Sequence, residues 1–148
     1  MNVKLENYLC RRFAPFFEGK KHSFEFSDGW FFIIYWAFQR IEDRIAVLKY
    51  QFPERTTYFV VTEVKEKLGA ISFEFKGGED YAIQSYIDAA QSLSSFVCEE
   101  TGIFNETVGV TLKGWQKTLS KDQAGSNTGW RNKYDNDLLT IIEEIKIK

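Results

Sequence analysis

Histidine is nearly missing from this 148-residue chain, which has one, and cysteine and proline are scarce at two each. Each shortage removes a class of structure or chemistry. Two cysteines, Cys10 and Cys98, are too few to staple a small secreted domain, so free thiols and a cytoplasmic location are expected. The sole histidine, His22, lies far upstream of Cys98, so no Cys and His set with metal-ligand spacing forms and no metal is expected. No excess of positive charge is present either. With 19 Lys and Arg against 21 Asp and Glu the net charge is −2, which offers no global field to a nucleic-acid backbone. The longest apolar run, Trp30 to Phe38, falls well short of the roughly 20 residues that cross a bilayer, and the start of the chain shows no secretory leader pattern. No membrane partner is expected.

Catalytic motifs are missing too. Gly77-Gly78 has neither the spacing nor the following Lys-Thr of a phosphate loop. Glu42-Asp43, Glu79-Asp80 and Glu143-Glu144 are adjacent pairs that point to different sides of a helix, so none forms a general acid and base couple. Glu99-Glu100 stand beside Cys98 with no histidine near in sequence, which leaves the thiol without a base. The chain is therefore read as no enzyme and as needing no cofactor.

What is abundant is apolar and aromatic surface, at 44% and 17% of residues. That is ample for one core, and a single domain over 1–148 is expected. Its centre is the stretch from Thr57 to Leu119. Tyr58, Val60, Thr62 and Val64 alternate with Phe59, Val61, Glu63 and Lys65, and after a turn at Lys67-Leu68-Gly69 the apolar Ile71, Phe73 and Phe75 recur at period two. This is a β-hairpin with one apolar face, which must be covered by helices because a lone hairpin is marginal in water.

The remaining elements are read around it. Residues 1–26 form an N-terminal unit. In it Asn2 caps a short helix carrying Leu5, Leu9 and Phe13, Pro15 limits that helix, and Gly19 to Ser27 is a polar loop. Ser27-Asp28-Gly29 opens the main helix, Ser27 or Asp28 capping its first amides, and Pro53 closes the segment. Ile34, Phe38, Ile41, Ile45 and Leu48 give it a core stripe, while Phe32 and Trp36 stand four apart on the other face. A third helix is capped by Asp80 and carries Tyr81, Tyr86, Ala90, Leu93 and Val97. Val108 to Leu112 and Trp115 to Leu119 read as short strands around Lys113-Gly114. Residues 120–134 are a long mobile loop by composition, and 135–148 a last helix with Leu138, Ile141, Ile142 and Ile145 on one side. The fold class is α+β: helices on a hairpin or small antiparallel sheet, then a small β piece and a C-terminal helix.

Between Ser27 and Gln123 the chain resembles a family of small phage and bacterial proteins of uncharacterised function. The resemblance is carried by Asp28-Gly29-Trp30 at the helix start, by Val64-Lys65-Glu66-Lys67-Leu68-Gly69 at the hairpin, and by Ser94, Ser95 and Cys98 beyond the third helix. That family closes with a zinc ribbon, whose scaffold is matched here by Cys98, Gly102, Gly114, Trp115, Thr118 and Leu119. Of its four thiolates only Cys98 remains, since Thr101, Ser120 and Gln123 occupy the other positions. Four S or N donors are needed, so the resemblance implies a degenerate, metal-free ribbon. Ile103, Phe104, Val108, Val110, Leu112 and Trp115 are expected to fill it instead.

The function expected from these features is protein binding. A phage or bacterial inhibitor or immunity factor would fit, occluding a macromolecular target. Candidate contact residues are Phe32, Tyr35 and Trp36, and the charged turn Lys65, Glu66 and Lys67, for which a solvated turn is the plainer reading. A protein target or a second copy of the chain are the partners considered. The alternative is a nucleic-acid-binding module derived from a zinc ribbon, using Lys113, Trp115 and Lys117 to stack a base and meet phosphate, though Trp115 is first expected in the ribbon core. In the resembled family the positions of Phe32 and Trp36 are usually acidic, so aromatics there imply a cover. The last helix is expected to fold back over them, with an interface to a partner as the rival.

Overall fold

A computed structural model describes residues 1–146, among which five helices and two three-stranded sheets form an α+β architecture. Helix α1 spans Val3–Arg12, and the side chain of Asn2 accepts from the Lys4 amide at its start. Pro15 sits at the head of the 3-10 turn Ala14–Phe17 that follows, where its missing N–H costs nothing. The segment expected to be a polar loop instead buries Phe24 and Phe26 and supplies strand β1, Phe24–Glu25. No local pattern announces a strand of two residues. It exists because β2 offers a backbone beside it.

Helix α2, Phe31–Gln51, is entered through the 3-10 turn Asp28–Trp30. Neither Ser27 nor Asp28 caps its amides as expected. Asp28 accepts from the Asn2 amide at 2.5 Å, and Ser27 donates to Glu99 at 3.4 Å. The stripe Ile34, Phe38, Ile41, Ile45 and Leu48 is buried throughout, joined by Ile33 and Ala37. Helix α3, Tyr81–Ser94, starts at Asp80, whose carboxylate accepts from the amides of Ala82 and Ile83 and also from Arg44 at 3.0 and 2.9 Å. Its buried face is Ile83, Ile87, Ala90 and Ser94; of the residues expected there Ala90 and Val97 are buried and Tyr86 half-buried, while Tyr81 and Leu93 are exposed. Helix α2 and α3 run antiparallel, tied at one end by Arg44 to Asp80 and at the other by the Trp30 indole, which donates to the Val97 carbonyl at 2.8 Å.

Strands β2, Phe59–Lys67, and β3, Ala70–Gly77, form the expected hairpin, and β1 adds to β2 in parallel. Leu68 and Gly69 make a two-residue turn with φ of +53° and +80°, the mirror-image geometry whose twist suits a hairpin. The alternation is broken once. Val61 pairs with Phe75 and Glu63 with Glu74, so Thr62 is an extra residue in a β-bulge. Ahead of it the odd-numbered Phe59 and Val61 point inward, and beyond it the even-numbered Val64 and Glu66 do. A charged residue at the turn is thereby turned into the protein.

The second sheet joins β4, Val108–Val110, to β5, Thr118–Ser120, and to β6, Arg131–Asn132, with β4 central. The stretch expected to be a mobile loop thus carries a short helix α4, Lys121–Ala124, the strand β6, and Trp130, whose indole donates to the Leu119 carbonyl at 3.1 Å. A small core of Cys98, Val108, Leu119 and Ala124 with Trp130 packs here. Of the residues expected to fill it only Val108 does. Val110 is half-buried, and Ile103, Phe104, Leu112 and Trp115 are exposed. Helix α5, Asn136–Lys146, follows Asp135, which accepts from the Leu138 amide, and it buries no residue.

Candidate functional site

The sequence singled out two short motifs about 70 residues apart, and the structure brings them together. Asp28-Gly29-Trp30 lies on the turn Cys98 to Gly102. The Gly29 amide donates to the Glu99 carbonyl at 2.7 Å, and the Gly102 amide closes the turn on the Cys98 carbonyl at 2.8 Å. The hairpin tip joins the same junction from another side. The Thr118 hydroxyl donates to the Gly69 carbonyl at 2.5 Å, and the Glu99 amide donates to the Thr118 carbonyl at 2.9 Å.

Two carboxylates are buried in this junction. Glu66 accepts from the Gly69 amide at 2.6 Å and from the Trp115 indole, so it locks the turn and pins the second sheet to it. Glu99 is 1% exposed; one oxygen accepts from Lys117 at 3.1 Å and from Ser27 at 3.4 Å, while Oε2 is buried without a partner. Burial raises the Glu99 carboxyl above its ordinary 4.5, Lys117 opposes this, and Glu66 and Glu100 add to it. Burial would also push the Cys98 thiol up, but hydrogen bonds from the Thr101 hydroxyl and from the amides of Ser120, Thr101 and Glu100 bring it below its ordinary 9.0. Among the described residues no group of three His, Cys, Asp or Glu side chains gathers to hold a metal ion.

The Glu99 environment makes a testable statement. A carboxyl raised in the folded state contributes its stability fully below about 4.5, and that contribution is lost as pH rises through the raised value. Glu99→Gln is therefore expected to match the parent near pH 4 and to exceed it at pH 7 by about 1 kcal/mol, since partly exposed Lys117 is left to water. Urea unfolding at both pH values measures this. A glutamine variant less stable than the parent at pH 7 would mean that the ion pair outweighs the burial.

The candidate residues fare differently. The charged turn does not act as one surface. Lys67 is exposed, Lys65 pairs with Glu63 at 2.5 Å, and Glu66 points inward for the reason the bulge supplies. Trp115, expected in a core, is 72% exposed with its indole N–H tied to Glu66; Lys117 is spent on Glu99, and Lys113 stays in solvent. No local signal marked Glu99 as buried, because it sits in a polar-looking run whose burial depends on contacts from residues 27–29 and 117–118.

The aromatic candidates form a second locality on α2. Phe32 is 77% exposed and Trp36 is 41% exposed, the latter edge-on to Tyr86 of α3 with ring centroids 6.1 Å apart. Tyr35 is half-buried and stacks with Phe31 and Tyr8 at 6.2 and 6.3 Å, so it supports the ridge from beneath. The expected cover does not form. Helix α5 leaves Leu138, Ile141 and Ile145 exposed and is linked instead to the second sheet's side of the molecule through Lys146 and Glu106, so it is no lid for Phe32 and Trp36. The stripe was legible, but a helical stripe specifies that something apolar should be met, not which surface. The last two residues of the helix expected over 135–148 lie outside the described residues. No helix among the described residues is long and apolar enough to cross a membrane. No family model, curated protein or solved structure matches the chain.

Proposed function

We propose that this chain acts by binding another protein through the aromatic ridge of α2, as an inhibitor or immunity factor that occludes a target would. The observation that carries the reading is the exposure of Phe32, 77%, beside Trp36 on a helix whose opposite stripe is wholly buried. Covering one such ring is worth about 1.5–3 kcal/mol, and tryptophan with its neighbours is the usual anchor of an interface. One turn further along, Arg40 and Asp43 pair at 3.2 Å and give the ridge a polar border. A nucleic-acid reading is supported by exposed Trp115 and weakened by what surrounds it. Lys117 is already paired, and Glu66, Glu99 and Glu100 occupy the same junction.

The test is affinity capture from the native host's lysate with the parent and with a Phe32→Ser, Trp36→Ser double variant. Because both side chains are outside the core, the variant is expected to unfold within about 1 kcal/mol of the parent. A protein recovered by the parent and lost by the variant is the expected result. Equal recovery by both, or recovery of nucleic acid alone, would overturn the reading. Light scattering adds the remaining arm: a parent dimer that the variant dissolves would identify the partner as a second copy.

A further inference from the structure

A cavity at the open edge of β2 has no part in the ridge or the junction. It is produced by three backbone events. The 3-10 turn Ala14–Phe17 ends in two left-handed residues, Glu18 and Gly19 with φ of +51° and +69°, which turn the chain back and bring Lys20, Lys21 and His22 beside β2. Strand β1 begins only at Phe24 and pairs from Val64 onward, so Val60 to Thr62 of β2 has no partner on that side. The bulge at Thr62 falls in the same gap. The space left is about 290 Å³, near the lower end for small-ligand pockets.

Its charge is unlike that of the molecule. Lys20, Lys21 and Lys76 line it with Glu18 as the one carboxylate, in a chain whose net charge is −2. Glu18 meets Lys20 at 3.4 Å, but both side chains are mostly solvated, so the pair neutralises little. His22 forms part of the lining. Its ring lies between Phe17 and Phe24 at centroid distances of 5.4 and 5.2 Å, and its backbone is bracketed by Cys10, the amide donating to Sγ at 3.4 Å. The ring atom Nε2 is buried without a partner. Three lysines around a half-open space, with the His22 ring in its wall, form an electrostatic setting for negative charge.

We propose that this cavity binds a small polyanion of the phosphate-ester or diphosphate class, neutralised by Lys20, Lys21 and Lys76 and sensed by His22. Its size and the acidic balance of the whole chain exclude an extended nucleic-acid backbone. Binding is coupled to protonation. In the empty cavity burial holds the imidazole below its ordinary value, opposed by Glu6 of α1 and Glu63 of β2. Glu63 is paired with Lys65, and Glu6 accepts from the Phe24 amide; Cys10 meets the His22 backbone, and the three lysines share the cavity lining with it. A bound dianion adds negative charge on the open side, so His22 takes up a proton and affinity rises as pH falls from 7 to 6.

A chain with one histidine permits a direct reading. Pyrophosphate is titrated at fixed ionic strength while the His22 ring resonances are followed by NMR. A saturable shift is expected, with a Kd of about 1 mM or tighter at pH 6. The Lys20→Gln, Lys76→Gln double variant, altered only at exposed residues, is expected to weaken binding about tenfold. His22→Gln, followed through backbone amides, should still bind but without the gain at low pH. A shift that does not saturate, that sodium chloride reproduces, or that survives unchanged in the lysine variant would overturn the proposal.

Discussion

Trp30→Ala is expected to lower the unfolding free energy by about 3–5 kcal/mol, a large share of the roughly 5–15 kcal/mol that holds a domain folded. Trp30 is fully buried, and its side chain is used twice. The ring packs beside Phe26 at a centroid distance of 5.5 Å, within the core that α2 shares with the hairpin. Its N–H donates to the Val97 carbonyl, where the chain leaves α3 for the turn that begins at Cys98. Truncation removes the largest fully buried side chain and leaves that carbonyl unsatisfied. Trp30→Phe separates the two effects. It keeps most of the apolar volume and loses the hydrogen bond, so a cost of about 1–2 kcal/mol is expected by urea or guanidinium unfolding. An alanine variant that loses under about 1 kcal/mol would show that this indole does not hold the end of α3 to the core as described.

Gly29→Ala carries the second large effect, for a different reason. The added Cβ would stand 2.5 Å from the Gly102 amide nitrogen and 2.6 Å from the Glu99 carbonyl oxygen, with the Cys98 carbonyl oxygen closer still. All three are backbone atoms of one tight turn. No side-chain rotamer can relieve the clash, so either the Gly29 amide leaves the Glu99 carbonyl or the turn opens. A loss of about 3 kcal/mol is expected, at the top of the range for overpacking. Gly102→Ala should cost less, about 1 kcal/mol, because its Cβ would lie 3.1 Å from the Gly29 carbonyl oxygen and the penalty is chiefly its φ of +73°. The two substitutions meet at one contact, so the double variant should fall short of their sum. Equal and additive losses would place the strain within each turn instead of between them.

Those two residues also show what a motif conveys. Asp28-Gly29-Trp30 could be read as a helix start, and it is one, but the glycine is required by a chain segment some 70 positions away. The apparent cap has gone elsewhere for the same reason. Asp28 is taken by the Asn2 amide and Ser27 by buried Glu99, both long-range partners that outcompete the local amides. The functional candidates divide along the same line. Phe32 and Trp36 are legible as outward aromatics because a 21-residue helix sets their angle to the core stripe. The reading of Lys65, Glu66 and Lys67 as one charged turn failed because a single inserted residue upstream reversed which side faced inward.

Local pattern by itself determined the α+β class, the hairpin and its turn, the buried stripe of α2, and the caps at Asn2 and Asp80. These depend on periodicity and on side chains reaching amides two or three residues away, interactions written entirely within one short segment. Only the tertiary structure decided the parallel strand β1, the bulge at Thr62, the burial of Glu66 and Glu99, and the direction taken by α5. Each of these requires a partner distant in the chain. A strand needs a backbone to pair with, a buried carboxylate needs donors from several segments to offset its desolvation, and an apolar stripe matches more than one surface equally well.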